Sequence, residues 1–218
     1  MPSRLPLFPL KLVLFPGEPL PLHIFEPRYR QLLADCLGGD KRFGITAEPD
    51  PGPGALGCSA LIQASQQLPD GRSAIVVVGE RRFALRALLD EGKPYLVGAV
   101  DGFDDQPGTA PLPDERRELR ALAEAARTGL RILADANTDL EPWADDPEAF
   151  SFQVSALVGS DLETRERLLA DRSTRERTRT LLRVLPALVQ QVQSRAEVKV
   201  RSRTNGKGHH GHDIVTET

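Results

Sequence analysis

Apolar positions in the first hundred residues come in short groups cut by proline. They read Leu5-Pro6-Leu7-Phe8-Pro9-Leu10, then Val13-Leu14-Phe15-Pro16-Gly17, then Leu20-Pro21-Leu22-His23-Ile24-Phe25-Glu26-Pro27. An interior proline deletes a backbone donor and clashes with the preceding turn, so none of these groups can be one helix. They read as short extended segments, with Pro16-Gly17 as a turn between two of them. Pro27 then opens a helix at the position where a missing N–H costs nothing. Tyr29, Leu32, Leu33, Cys36 and Leu37 follow at helical spacing, and Gly38-Gly39 stop it. Strands are predicted over residues 42–47, 58–68, 74–78, 82–89 and 95–100. The β-branched run 74–78 suits burial on both faces. Pro69-Asp70-Gly71 is a turn, because proline presets its first position and glycine tolerates positive φ. Residues 48–57, rich in Pro and Gly, are expected as an exposed hairpin loop. Strands do not alternate with helices, so parallel βαβ units are not expected and a compact, partly closed barrel is.

Beyond residue 103 the period changes. Residues 104–113 (Asp-Asp-Gln-Pro-Gly-Thr-Ala-Pro-Leu-Pro) have linker composition. A helix is predicted over 114–134 with Leu119, Leu122, Ala126, Leu130 and Leu133 on one face, then a loop over 136–146 and a helix over 147–158. Ser160-Asp161-Leu162-Glu163 and Ser173-Thr174-Arg175-Glu176 both match the capping box. They start a short helix over 161–170 and a long one from 174. Leu181, Leu182, Leu185, Leu188, Val189 and Val192 are the long helix's buried stripe, and Pro186 is its expected kink. The chain from Ser202 on has no apolar pattern and reads as disordered. The division is thus 1–103 β-rich, 104–113 linker, 114–201 helical and 202–218 tail.

Composition changes this picture little. With 218 residues, 40% hydrophobic and 27% charged, the chain can bury a normal core. A net charge of −3 gives no global attraction to nucleic acid or an anionic membrane. Cys36 and Cys58 have neither zinc nor C-x-x-C spacing and read as reduced, buried thiols. No secretory signal and no apolar run long enough to span a membrane is present, so the cytoplasm is the expected compartment.

Candidate chemistry is sparse. The sequence contains no G-x-x-x-x-G-K-[ST], no G-x-S-x-G and no H-E-x-x-H. His23 with Glu26 is a weak acid–base candidate; the structural reading has them anchor the strand-to-helix corner while Arg28 pairs locally. The tail histidines His209, His210 and His212 read as passive rather than as a transition-metal site. Arg165, Arg167, Arg172, Arg175, Arg177, Arg179 and Arg183 read as a solvated face with i,i+4 pairs such as Glu163–Arg167. Nothing here points to a catalytic residue, a metal or a cofactor.

The proline-broken opening resembles that of the Lon substrate-binding domain, the N-terminal module of Lon-type ATP-dependent proteases. Phe43-Gly44-Ile45, Leu68-Pro69-Asp70-Gly71-Arg72 and Gly79-Glu80-Arg81-Arg82-Phe83 support it, as do Leu168-Leu169 and residues 175–185. The resemblance covers roughly residues 4–200. It implies an α+β fold: a β-rich, PUA-like pseudo-barrel followed by a small helical bundle. It also implies a non-catalytic module that binds unfolded or degron-bearing polypeptides, which it either holds or hands to a separate protease. The proline segments leave a sheet edge open to an extended peptide, with the 48–57 loop able to move over it. The expected binding residues are Pro16, Gly17, Leu20, His23, Glu26 and Arg28. Two other readings stand beside this one: an RNA-binding module using the arginine-rich last helices, by fold analogy only, and a hydrolase built on His23 and Glu26.

Overall fold

The computed structural model describes residues 3–135, 141–159 and 161–205. The elements are β1 (Ser3–Pro9), β2 (Pro19–Ile24), α1 (Pro27–Leu37), β3 (Arg42–Thr46), β4 (Leu56–Gln67), β5 (Ser73–Leu89) and β6 (Leu96–Gly102). Then follow α2 (Pro113–Ala134), α3 (Pro147–Leu157), α4 (Leu162–Ala170) and α5 (Thr174–Asn205).

The two predicted strands 74–78 and 82–89 are one strand, β5, and its length closes the barrel. Its first part pairs with β2 on one side and β4 on the other; its last part pairs with β6. With β4–β3, β3–β1 and β1–β6 pairings, the ring β5-β4-β3-β1-β6 returns to β5. Register shifts in β4–β5 and β5–β6 supply the bends that closure needs. The β1–β3 pair is parallel, against expectation, because β2 and α1 together give a crossover long enough to return the chain. Inside the barrel lie Leu5, Leu7, Phe83, Leu85 and Val100. Outside it, α1 packs Tyr29, Leu32, Leu33 and Cys36 against Phe8, Phe43 and Ile45.

The arm formed by β2, β5 and the end of β4 has one wet face. Val76, expected to be buried, is 39% exposed there, as an antiparallel sheet with one covered face allows. The loop after β3 is not free. Gly54 N–H donates to the Leu85 carbonyl at 2.7 Å and Leu85 N–H to the Ala55 carbonyl at 2.8 Å, so its end lies pinned along β5, and Pro51 is buried.

The helices form a bundle whose core includes Val13 and Phe15 from the β1–β2 connection. On α2 the buried line runs through Leu119, Ala123, Ala126 and Gly129, with Leu122, Leu130 and Leu133 half-buried. Small residues let α5 approach: a Cβ on Gly129 would stand 2.7 Å from the Val192 side chain. Of the predicted α5 stripe, Leu181, Leu185, Val189 and Val192 are buried and Leu182 and Leu188 half-buried, and the helix continues through Pro186. It also continues through the expected start of the tail, to Asn205; the tail histidines, and residues 136–140 of the predicted loop, lie outside the described residues. The second capping box is half made: Glu176 N–H donates to Ser173 Oγ at 3.2 Å, while the Glu176 carboxylate turns to Arg179. In the first, Asp161 is the N-cap of α4 and accepts from the Thr164 hydroxyl, not from a backbone N–H; Ser160 is outside the described residues.

Residues 104–112 carry no regular structure but are firmly tied. Gln106 N–H donates to the Arg172 carbonyl at 2.8 Å, and Arg175 N–H to the Thr109 carbonyl at 2.7 Å. Asp105 lies between two buried arginines. Arg82 of β5 and Arg177 of α5 both donate to it, as does the Thr174 hydroxyl. Arg82 also reaches the carbonyls of Leu169 and Asp171, and Arg177 reaches Ser151 Oγ at 2.8 Å. Both guanidiniums lie over the Phe152 ring of α3. This cluster joins barrel, connection and bundle.

Candidate functional site

The site grows from the Pro16–Gly17 turn. Glu18 N–H donates to the Phe15 carbonyl at 3.1 Å, and Gly17 takes φ +78°, as this turn requires of its third residue. The turn is tied to β5 by two hydrogen bonds, Gly17 N–H to the Gly79 carbonyl (2.8 Å) and Gly79 N–H to the Glu18 carbonyl (3.0 Å). From α4, Arg165 donates to the Val13 carbonyl at 2.8 Å and to Glu18 at 3.0 Å, and stands 4.6 Å over the Phe15 ring. Burial pushes the Glu18 carboxyl above its ordinary value despite the Arg165 charge.

Held this way, the start of β2 faces α2 and α3 across a groove of about 810 Å³. Pro19 and Val78 form one wall; Leu130, Trp143 and Leu157 form the other, with Arg131 at the rim. Trp143 is fixed by its indole N–H donating to Glu124 at 2.7 Å, by Arg127 4.2 Å over its face and by an edge contact with Phe150. A second hollow of about 370 Å³ shares Glu18, Ala156 and Leu157 with the groove and reaches Leu20.

The β2 edge is open but poor in donors. Its strand partner among the described residues is β5 alone. In an antiparallel pair, residues alternate between those that exchange hydrogen bonds with the partner and those whose N–H and C=O face away. Proline cannot take the first role, so Leu20, Leu22 and Ile24 bond to β5 while Pro19, Pro21 and His23 face outward. The free edge thus offers three carbonyls and one N–H, that of His23. Prolines so placed guard an edge against strand addition.

The six expected residues fall in different places. Gly17 lines the groove, Leu20 the adjoining hollow, and Pro16 sits half-buried in the turn. His23 is exposed on β2 and has no hydrogen-bond partner among the described residues. Glu26 accepts from Arg28 Nε at 2.9 Å, so the local pair is present, but no bond joins it to His23. Arg28 lines a separate cavity beside Tyr29. Sequence reasoning missed Val78, Leu130, Trp143 and Leu157. The helical period places Leu130 on the core face, and Trp143, the single tryptophan, falls in a loop; a lone large aromatic in a polar loop was the available signal. The 48–57 loop borders none of this groove.

The sequence profile of the ATP-dependent protease La (LON) substrate-binding domain matches residues 4–187. The chain belongs to this family. Curated Lon proteases from Cytophaga hutchinsonii and Roseiflexus castenholzii are 23% and 29% identical to it, over 94% and 84% of its length. The chain spans 26% and 25% of those relatives. A crystal structure of a Lon N-terminal domain protein from Xanthomonas campestris has 25% identity and a TM-score of 0.63, covering 84% of this chain and 98% of that one. The N-terminal domain of a Mycobacterium avium complex Lon protease has 18% identity and a TM-score of 0.59, covering 86% and 98%, a likeness of fold.

In this LON-family chain the arginines of the last helices are only in part the solvated face expected: Arg167, Arg172, Arg179 and Arg183 are exposed, but two are not. Arg177 is fully buried, and the Arg165 side chain is 12% exposed. Arg167 pairs with Glu163, as the i,i+4 spacing predicted, Arg179 with Glu115 and Glu176, and Arg172 and Arg175 donate to the Asp104 and Ala110 carbonyls. Arg183 donates to Thr180. Cys36 and Cys58 are free and buried, and burial pushes both thiols up to about 12. Among the described residues no group of three or more His, Cys, Asp or Glu could hold a metal ion, and no helix is long and apolar enough to cross a membrane.

Proposed function

We propose that this chain is a non-catalytic recognition module that binds unfolded or degron-bearing polypeptides, working with a Lon-type or separate protease in the cytoplasm. The observation that carries the reading is the apolar, tryptophan-walled groove between β2 and α2–α3 in a chain of the LON substrate-binding family. Apolar side chains of an extended client enter this groove; the proline-blocked β2 edge argues against strand addition as the mode of binding. Chemistry on the client is not part of this reading. His23 stands alone on its strand, and the two thiols stay protonated, which makes them poor nucleophiles.

An RNA-binding role for the last helices is disfavoured by the arginines themselves. Four of the seven, Arg165, Arg167, Arg177 and Arg179, are paired with carboxylates, and Arg172, Arg175 and Arg183 alone keep an unpaired charge, fewer than a phosphate-tracking stripe uses.

The test is fluorescence anisotropy with a labelled, permanently unfolded polypeptide and, separately, single-stranded RNA. Raising salt from about 50 to about 200 mM leaves the polypeptide affinity within about threefold, whereas a phosphate-driven complex would lose on the order of a thousandfold. Binding to RNA alone, lost with salt, sinks the proposal. Leu130→Glu places a charge on the groove wall and is expected to weaken polypeptide binding about tenfold, near 1.4 kcal/mol, roughly one half-buried leucine contact. Its melting temperature should stay close to that of the parent, because Leu130 is only half-buried. Unchanged affinity in this variant would remove the groove from the reading.

A further inference from the structure

A cavity of about 300 Å³ lies at the joint of barrel and bundle. Its walls are the β1–β2 connection, the end of β3, the two ends of the β3–β4 loop and the last turns of α4. It shares no residue with the groove. Val13, Leu14, Ile45 and Leu169, each 3% exposed or less, make its floor apolar. Its volume is at the small end of ligand pockets and takes one large side chain. The walls are fixed before anything enters. Leu10 N–H donates to the Thr46 carbonyl at 2.9 Å, and the bonds that pin Gly54 and Ala55 to Leu85 hold the loop. A preformed wall loses little freedom on binding.

Charge at the rim has one sign. Three ionisable side chains line the cavity: Glu48 from the barrel loop, and Glu166 and Arg167 from α4. Glu48 and Glu166 are exposed, and neither carboxylate has an ion pair or a hydrogen bond among the described residues. Arg167 is spent on a third carboxylate, Glu163, at 3.2 Å. Arg165, on the same helix, is spent on Glu18 and the Val13 carbonyl. Two uncompensated negative charges therefore stand over an apolar floor, one on the barrel side and one on the bundle side. A free carboxylate would be repelled here, and a purely apolar segment would leave both charges without a partner.

We propose that this cavity is a second polypeptide-binding site, selective for an apolar side chain flanked by lysine or arginine. The apolar side chain fills the floor, and its basic neighbours meet Glu48 and Glu166 at the rim. The site stands whether or not the groove binds clients. Leu130→Glu, which alters the groove, leaves it intact.

An NMR titration of the backbone amides with three capped pentapeptides tests this. Gly-Lys-Leu-Arg-Gly should shift the amides of Ala47, Gly57 and Ala170 saturably. Replacing its leucine by glycine should weaken binding about tenfold, the worth of one leucine taken from water. Gly-Glu-Leu-Glu-Gly should leave these amides where they are. Equal shifts from the basic and acidic peptides, or none from the basic one at these residues, overturn the site. Equal binding by the leucine and glycine peptides reduces it to surface charge and overturns it too. Glu48→Gln and Glu166→Gln should each weaken the basic peptide about threefold, the reach of one exposed ion pair, at an unchanged melting temperature. Glu118→Gln makes the same charge change at an exposed position of α2 outside the cavity and should have no effect. Unchanged affinity in both rim variants, or an equal loss in the Glu118 variant, overturns the proposal.

Discussion

An Asp105→Ala chain is expected to lose about 3–5 kcal/mol of stability and to melt roughly 10 °C below the parent. The side chains of Asp105, Arg82 and Arg177 are 5%, 1% and 0% exposed. Removing the carboxylate leaves two buried guanidiniums facing each other with no countercharge between them; Glu148, 3.7 Å from Arg82 and 38% exposed, is too solvated to replace it. The neighbouring residue gives the contrast. Asp104 pairs with Arg81 on the surface, the two side chains 65% and 59% exposed. Asp104→Ala should therefore cost less than about 1 kcal/mol. Thermal melts of the two variants side by side would decide the matter. A change of under about 2 °C in the Asp105 variant would mean that the cluster contributes no net stability.

The same cluster sets a response to acid. Burial pushes the Asp105 carboxyl up, but the hydrogen bonds from Arg177 and Thr174 and the two guanidinium charges outweigh it and hold the carboxyl below its ordinary value. Its contribution is complete above the unfolded-state value near pH 4 and is lost as pH falls through the lower folded value. Glu18 acts in the opposite sense. Its carboxyl is raised by burial, so its ionisation lowers stability as pH climbs above about 4.5. Asp105→Asn should flatten the stability curve below pH 4 and leave the region above it parallel to the parent. An unchanged acid limb would exclude Asp105 as its source.

What could be read from the residues was whatever depends on neighbours in sequence. Pro16–Gly17 and Pro69–Gly71 form their turns, Pro27 opens α1, and the stripes of α2 and α5 face inward because local backbone chemistry and a 3.6-residue period suffice for each. The arginine cluster was not readable. Arg177 sits in a charged helix that looks wet, and what makes it buried is Asp105, which lies 72 positions earlier and becomes its partner only once the connection folds against α5. The joined β5 was missed because Gly79-Glu80-Arg81 interrupts the apolar pattern; in the structure this stretch is where the strand leaves the arm for the barrel. The candidate groove was half readable. Gly17 came from the opening motif, but the opposite wall, Leu130, Trp143 and Leu157, comes from the bundle and is brought to it by long-range contacts such as that of Arg165 with Phe15.

Gly79→Ala should be among the most damaging small substitutions in the chain. A Cβ at this position would lie 2.1 Å from the Phe15 carbonyl oxygen and 2.9 Å from its carbon. Neither side can withdraw, because Gly79 is bonded through both its N–H and its C=O to the turn that carries Phe15. Phe15 is itself fully buried in the helical core, beside Phe152 and under Arg165. The clash therefore travels into the joint between barrel and bundle, and a cost of about 3 kcal/mol, at the top of the overpacking range, is expected. Gly79 is not in the left-handed region, so the penalty is steric and alanine's own backbone preference plays no part. Gly17 supplies the converse case. Its φ is +78° and a methyl group there would meet nothing within 4 Å, so Gly17→Ala should cost only the left-handed strain, about 1–2 kcal/mol. Gly79→Ala should thus melt lower than Gly17→Ala and lose polypeptide binding with the displaced groove wall, whereas Gly17→Ala should keep most of it. If the two variants melted together and bound alike, the Phe15–Gly79 contact would not be what holds the barrel, the bundle and the groove in place.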